Sequence, residues 1–251
     1  MNEATDLAHA DIGIVSALPI EMGAFLERCD RQRKYTGGKF VFRGGRYDGV
    51  RIAVVESGLG FANARTAAQT LLEAHTPPWL LSCGFAGALL PEMKIGDIVI
   101  ADSLVDPHGQ QLAVDVSMPA DPDRGLFVGR MLTADQMVRK VEEKQALAEE
   151  FGAIAVEMES LAVAQVARDS GIPFLAVRTI SDDLSADLPP EVLSVVGSTG
   201  TMRLGAALGS IWKRPGSVKD MWQLRESAMK AAERLASFLD GVIKQLHEAK
   251  H

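Results

Sequence analysis

Residues 153–183 read AIAVEMESLAVAQVARDSGIPFLAVRTISDD, and this stretch sets the fold class. An apolar run from Ala153 to Val156 meets two acids, Glu157 and Glu159. A helical segment follows and ends at Gly171. The run from Pro173 to Asp183 is again strand-like. Short apolar runs of this kind suit strands buried on both faces. The same alternation extends outward. Ile12–Ala17 is a short apolar run, followed by a helical segment with Pro19 in its first turn, a position proline tolerates. Residues 39–56 read as a hairpin turning at Tyr47-Asp48-Gly49. Residues 61–75 are helical and stop before Pro77-Pro78. Residues 79–90, WLLSCGFAGALL, form a buried strand entering a glycine turn. Residues 95–105 and 126–133 are strands, 106–124 a surface excursion, and 135–150 a charged helix. Strands alternating with helices predict an α/β fold with a parallel or mixed sheet covered on both faces.

The C-terminal part is different. Residues 184–216 carry Pro189-Pro190 and several glycines, and a long helix is predicted from about Val218 to Ala249. Met221, Leu224, Met229, Ala232, Leu235, Leu239 and Ile243 recur along it at helical spacing. The expected organisation is a single domain over residues 1–251 with a C-terminal helical extension from about residue 184. Of the 251 residues, 47% are hydrophobic, enough for a sizeable core, and 24% are charged.

A net charge of −7 and a pI near 5.3 argue against nucleic acid as a partner, because an acidic surface repels phosphate backbones. Cys29 and Cys83 form no CxxC pair, and His9, His75, His108, His247 and His251 show no metal-binding spacing. The first residues lack the pattern of a signal peptide, and no apolar stretch has bilayer length. These features predict a cytoplasmic protein needing neither a metal nor an organic cofactor.

Three features lie at predicted strand ends, where ligands of α/β sheets gather. Glu21 follows the first strand; alone it reads first as a solvated carboxylate favoured by a helix N-terminus. Glu157 and Glu159 close one strand and open a helix. Unpaired buried charge is costly, and a carboxylate can accept two hydrogen bonds from vicinal hydroxyls, as a ribose clamp would require. Helix capping is the alternative for Glu157. In Arg178-Thr179-Ile180-Ser181-Asp182, strand alternation puts Arg178, Ile180 and Asp182 on one face. That predicts a cation and an acid in one cleft, with an ordinary ion pair as the alternative. The turns at Gly58-Leu59-Gly60 and Gly84-Phe85-Ala86-Gly87 can present backbone N–H groups.

Together, IGIVSALPIEMGAF, VVESGLGFANA, LLSCGFAGALLPEMKIGDIVIAD, AIAVEMESLAVAQVA and PFLAVRTISDD resemble the nucleoside phosphorylase/nucleosidase superfamily over residues 12–183. Within it the chain is similar to the nucleosidases of methylthioadenosine and S-adenosylhomocysteine. The resemblance implies a three-layer α/β/α sandwich around a mixed, twisted sheet, a homodimer, and hydrolysis of the N-glycosidic bond of a purine nucleoside. It casts Glu21 as the base that activates water and Asp182 as the acid that protonates N7, with Ser181 orienting it. Glu159 binds the ribose hydroxyls, Met158 packs on the sugar, and Arg178 stands near the nucleophile. Met137 and Val138 hold the base. A carboxylic acid donates near neutral pH only if its environment keeps a proton on it, and burial is the usual means. The sugar passes through an oxocarbenium-like state that a carboxylate stabilises.

The chain departs from the family pattern at Phe85, where a small polar residue would help hold the nucleophile. The 106–125 loop is short and the C-terminal helix runs beyond the usual end. These departures bear on the 5′ group of the substrate and admit relatives acting on bulkier nucleosides of the hopanoid or futalosine type. A phosphorylase is the main rival. It would need a cluster of cations, for which Arg178, Arg43, Arg51 and Arg65 are the candidates. A non-catalytic nucleoside-binding protein would not need both Glu21 and Asp182.

Overall fold

The computed structural model describes residues 9–190, 192–193 and 217–248, with the side chains of 217–221 left aside. Residues 194–216 of the proline- and glycine-containing stretch, and the side chain of Met221, lie outside the described residues.

The strands are β1 (Ile12–Ser16), β2 (Asp30–Gly37), β3 (Phe40–Tyr47), β4 (Val50–Glu56), β5 (Leu80–Ala88), β6 (Ile98–Val105), β7 (Gln111–Ala113), β8 (Leu126–Thr133), β9 (Ala155–Glu157) and β10 (Phe174–Asp182). The helices are α1 (Pro19–Leu26), α2 (Phe61–His75), α3 (Val141–Phe151), α4 (Ser160–Asp169) and α5 (Ser217–Glu248). The hairpin turn falls where the sequence puts it: Asp48 and Gly49 have φ of +50° and +88°, the left-handed pair that tight strand connections require.

All strands belong to one mixed sheet. Strands β4, β1, β5 and β10 run parallel, and β3 and β2 extend the sheet antiparallel beyond β4. From β10 the sheet continues through β6, β8 and β9, and β9 returns to pair with β5. One end of the sheet therefore closes into a ring of five strands. Helices α1 and α5 cover one face, packing Phe25, Leu235, Ala236 and Leu239 onto Ile14, Leu81 and Val177. Helices α2 and α4 cover the other, with Ala64, Ala67, Leu71 and Val163 against Val15, Val55 and Leu80. This is the expected three-layer arrangement, with the ring closure as an addition.

The closure creates the site. Strand β1 runs beside β5 only as far as Val15 opposite Ser82. Strand β9 runs the other way along the same edge, with Ala155 opposite Ala88 and Val156 opposite Gly87. The carboxyl ends of β1 and β9 thus converge on residues 83–86 of β5, whose edge is paired with neither strand. Whatever follows β1 and β9 in sequence is delivered to that gap.

Two sequence expectations change. The helix predicted over 135–150 begins only at Val141. Asp187 Oδ1 accepts from the Val141 N–H at 2.8 Å, and residues 134–140 stay extended or turned. The register also shifts between Ile180 and Asp182, which breaks the alternation that placed Arg178, Ile180 and Asp182 together. Ile180 packs in the apolar core, and Asp182 takes a partner other than Arg178.

Helix α5 is part of the core. Ala231, Ala232, Leu235, Ala236, Leu239, Val242 and Ile243 are buried at helical spacing, while Met229 falls off the stripe and is 55% exposed. Arg28, just past α1, pairs with Glu233 and Asp240 of α5. Truncating Leu239 to alanine is expected to destabilise the whole chain by about 2–5 kcal/mol, the usual cost of a buried leucine. Denaturant unfolding should show one transition shifted to lower denaturant. An unshifted main transition would mean that α5 is an appendage.

Candidate active site

A cavity of about 660 Å³ opens over the gap in β5, within the range of about 300–1,000 Å³ usual for small-molecule sites. Glu21, Glu159 and Asp182 all line it. So do Phe85, Met137, Val138, Met158, Ser181 and Glu157. Arg178 does not; it lies behind the wall.

Glu21 sits in the first turn of α1 and is 3% exposed. Its Oε2 accepts from the Ser16 hydroxyl at 2.7 Å and the Leu18 N–H at 2.7 Å, and its Oε1 accepts from the Phe85 N–H at 3.0 Å. The edge of β5 left free by β1 and β9 thus donates a backbone N–H to the carboxylate. This bond comes from the backbone and does not depend on the side chain at position 85. Gly84 is required by crowding: a Cβ there would lie 2.6 Å from Glu21 Oε1 and closer still to Arg178 Nη1.

Glu157 and Glu159 have separate tasks. Both Glu157 oxygens are occupied. Oε1 accepts from Thr133, and Oε2 accepts from the N–H groups of Glu159 and Ser160 and from Arg178. Glu157 therefore caps α4 and anchors Arg178. Glu159 is held by the Gly60 N–H at 2.8 Å and stands 3.6 Å from Arg178. Burial pushes its carboxyl up to about 8; the charges of Glu157 and Glu21 add to this, and Arg178 and the Gly60 N–H oppose it.

Arg178 is 1% exposed. Its Nη2 donates to Ser82 and Ser160 at 2.9 Å each and to Glu157. Burial alone would lower its pKa, but Glu157, Glu159 and Glu21 outweigh it and the guanidinium is held more firmly charged than usual. Its Nη1 has no hydrogen-bond partner among the described residues and points to the Gly84 crossing beside Glu21.

Asp182 accepts from the Ser181 hydroxyl at 2.8 Å through Oδ1 and from Lys144 through Oδ2. Lys144 lies within the charged helix of the sequence reading but was not singled out there. Its signal was its phase: Lys144, Leu147, Ala148 and Phe151 share one face of α3. Ser16, Ser82, Thr133 and Ser160 were also missed, since single hydroxyls scattered over strands and a helix start carry no distinctive spacing.

The rival phosphate ligands are elsewhere. Arg43 pairs with Glu56 at 2.5 Å and Arg65 bonds Gln165 at 2.9 Å; neither lines the cavity, nor does Arg51. Among the described lining residues the one cation is Arg225, exposed on α5. Neither thiol lines the cavity, and Cys83 is pushed up to about 12 and Cys29 to about 11, in each case chiefly by burial. No helix among the described residues is long and apolar enough to cross a membrane.

The profile of the Phosphorylase superfamily matches residues 11–124 and 119–199, and the chain belongs to that superfamily. Among its relatives, the 5′-methylthioadenosine/S-adenosylhomocysteine nucleosidase of Maridesulfovibrio salexigens is 27% identical over 201 residues, covering 70% of this chain and 87% of that one. The Helicobacter pylori enzyme of the same name, solved with butyl-thio-DADMe-Immucillin-A, superposes with a TM-score of 0.71 at 25% identity, covering 94% of this chain and 99% of that one. The futalosine hydrolase of Helicobacter pylori shares the fold, with a TM-score of 0.69 at 23% identity over 93% of this chain and 97% of its own.

Glu159→Gln tests the electrostatics. Below about pH 4.5 the carboxyl is protonated folded or unfolded. As pH rises to about 8 the unfolded chain ionises while the folded site keeps its proton, so wild-type stability falls across that window. The unfolding free energy of Glu159→Gln minus that of wild type should therefore climb between about pH 4.5 and 8 and level off above. A flat or falling difference would mean that Glu159 is ionised in the folded site.

Proposed function

We propose that the protein is a purine nucleosidase that hydrolyses the N-glycosidic bond of a 5′-substituted adenosine. The observation that carries this reading is that one cavity is lined by Glu21, Glu159 and Asp182 together. The nucleosidases to which the chain is similar support the substrate class.

Glu21, fixed by three donors, takes the proton of a water aimed at C1′ and faces the cationic sugar as it forms. Glu159 receives the ribose hydroxyls and Met158 packs on the sugar. Phe85, Met137 and Val138 flank the base, and Asp182, oriented by Ser181, protonates N7. Arg178 acts from behind the wall by anchoring Glu157 and by setting its charge against those of Glu159 and Glu21. Water is favoured over phosphate because Glu21 would repel an anion and the described wall has no cation cluster.

The 5′ group is proposed to be bulky and apolar. Ile20, Leu188 and Val192 continue the cavity, and α5 adds Trp222, Leu224 and Ala228. Trp222 is 67% exposed at this wall. The chain is further proposed to act in the cytoplasm as a single-domain protein assembled as a homodimer, which light scattering tests.

Free-base release should be followed from methylthioadenosine, a longer alkylthio-adenosine, S-adenosylhomocysteine, adenosine and inosine, with and without phosphate. Release without phosphate, giving free sugar, is expected, with kcat/KM rising along the alkylthio series. Strict dependence on phosphate would replace the hydrolase by a phosphorylase. Asp182→Asn and Glu21→Gln should each lower kcat by about 10²-fold or more, in line with general acid–base contributions, while leaving nucleoside binding in place. Trp222→Ala should lower kcat/KM for the alkylthio substrates and spare adenosine; equal losses would remove α5 from the 5′ site.

A further inference from the structure

Lys144 is fully buried on α3, its neighbours on that face, Leu147, Ala148 and Phe151, packing against Leu132, Ala153 and Val156. An ammonium in such a place is costly unless its charge is answered. The answer is Asp182: Lys144 Nζ donates to Oδ2, and it also lies 3.3 Å from the Asp183 carbonyl. Strand β5 leaves room for the pair. A Cβ on Gly87 would lie 3.0 Å from Asp182 Oδ2 and 3.4 Å from Lys144 Nζ.

Other charges near the pair are engaged or turned away. Asp183 accepts from Ser185, Glu157 is held by Arg178, and Asp187 caps α3. Glu142, Glu143, Glu149 and Glu150 on α3 itself are exposed. Lys144 is therefore committed to the carboxylate that faces the leaving base. The Asp182 side chain is 16% exposed and that of Lys144 not at all, so Asp182 stands between the lysine and the cavity.

We propose that Lys144 is the proton-holding residue behind Asp182, supplying through that carboxylate the proton that the purine takes away. The inference rests on the nucleosidase reading. The pair carries one proton in excess of a carboxylate and an amine. As the C1′–N9 bond breaks and its electrons pass to the base, N7 takes a proton from Asp182 and Asp182 takes one from Lys144. A carboxylate and a neutral amine remain. Water gives hydroxide to C1′ and its proton to Glu21. Once the purine leaves, Asp182 faces solvent and returns a proton to Nζ, and Glu21 releases its own.

The test compares methylthioadenosine with its N7-methyl derivative, whose base is already cationic and leaves without a proton. Wild-type, Lys144→Met and Lys144→Gln chains are assayed from about pH 5 to 9, with thermal unfolding as a check on folding. On methylthioadenosine, Lys144→Met should lose about 10²-fold in kcat, the scale of one general acid, and its alkaline limb should move to lower pH. On the N7-methyl nucleoside its rate should stay within about threefold of wild type, since no general-acid contribution is then at stake. Lys144→Gln keeps a hydrogen-bond donor but no transferable charge, and should fold well while retaining the defect. Equal losses on both substrates would make Lys144 a packing residue. A wild-type pH profile in Lys144→Gln would reduce it to a hydrogen-bond donor; either result overturns the proposal. If the wild-type chain itself cleaves neither nucleoside, the nucleosidase reading fails first and takes the lysine's role with it.

Discussion

A buried guanidinium organises this protein. Arg178 sits in the middle of β10 with its charge out of water, and a charge so placed needs partners. The chain supplies them from several elements: Glu157 from the end of β9, Glu159 from the start of α4, Ser82 from β5 and Ser160 from α4. Glu21 comes near from α1 and adds to the field. The dependence runs both ways, for the acids are close together and their mutual repulsion is offset by the cation they share. The acid-bearing wall of the cavity is thus built around one buried charge, and Arg178 shapes it without lining the cavity.

Much of the fold could be read from local pattern. The buried strand IGIVS is a nearly continuous apolar run, as is the FLAV start of β10, and Asp48-Gly49 gives the hairpin away because few residues accept both left-handed positions. What local pattern could not give was long-range closure. Nothing in AVE predicts that β9 returns to the edge of β5 that β1 vacates, yet this return makes the gap. The late start of α3 has the same origin: residues 135–140 have helical propensity, but their carboxy-terminal neighbour Val141 is capped by Asp187 from far along the chain.

The acids at strand ends that line the cavity were legible in the sequence, and the backbone groups that hold them were not. Phe85 brings no hydrogen-bonding side chain, and the bond from position 85 to Glu21 comes from its N–H group. Alternation along β10 misled at one step, because a single bulge turned Asp182 toward α3. Lys144 was hidden for a different reason. In a helix that carries four glutamates one more charge attracts no notice, and only its phase with Leu147, Ala148 and Phe151 marks it as inward-facing.

The ring closure has one more effect, on the outside of the molecule. A sheet that folds back on itself leaves fewer strand edges open to another chain, and β2 is the long open edge among the described strands. Its sequence, DRQRKYTG, is almost wholly exposed. Its pairing with β3 slips between Asp30 and Arg33, and Arg31 is turned to φ +52°. Charge and a local kink are both ways of spoiling an edge as a template for a foreign strand. Among the described strands the sheet is therefore closed at one end by pairing, and at the other it presents a charged, kinked edge that is a poor template for a further strand.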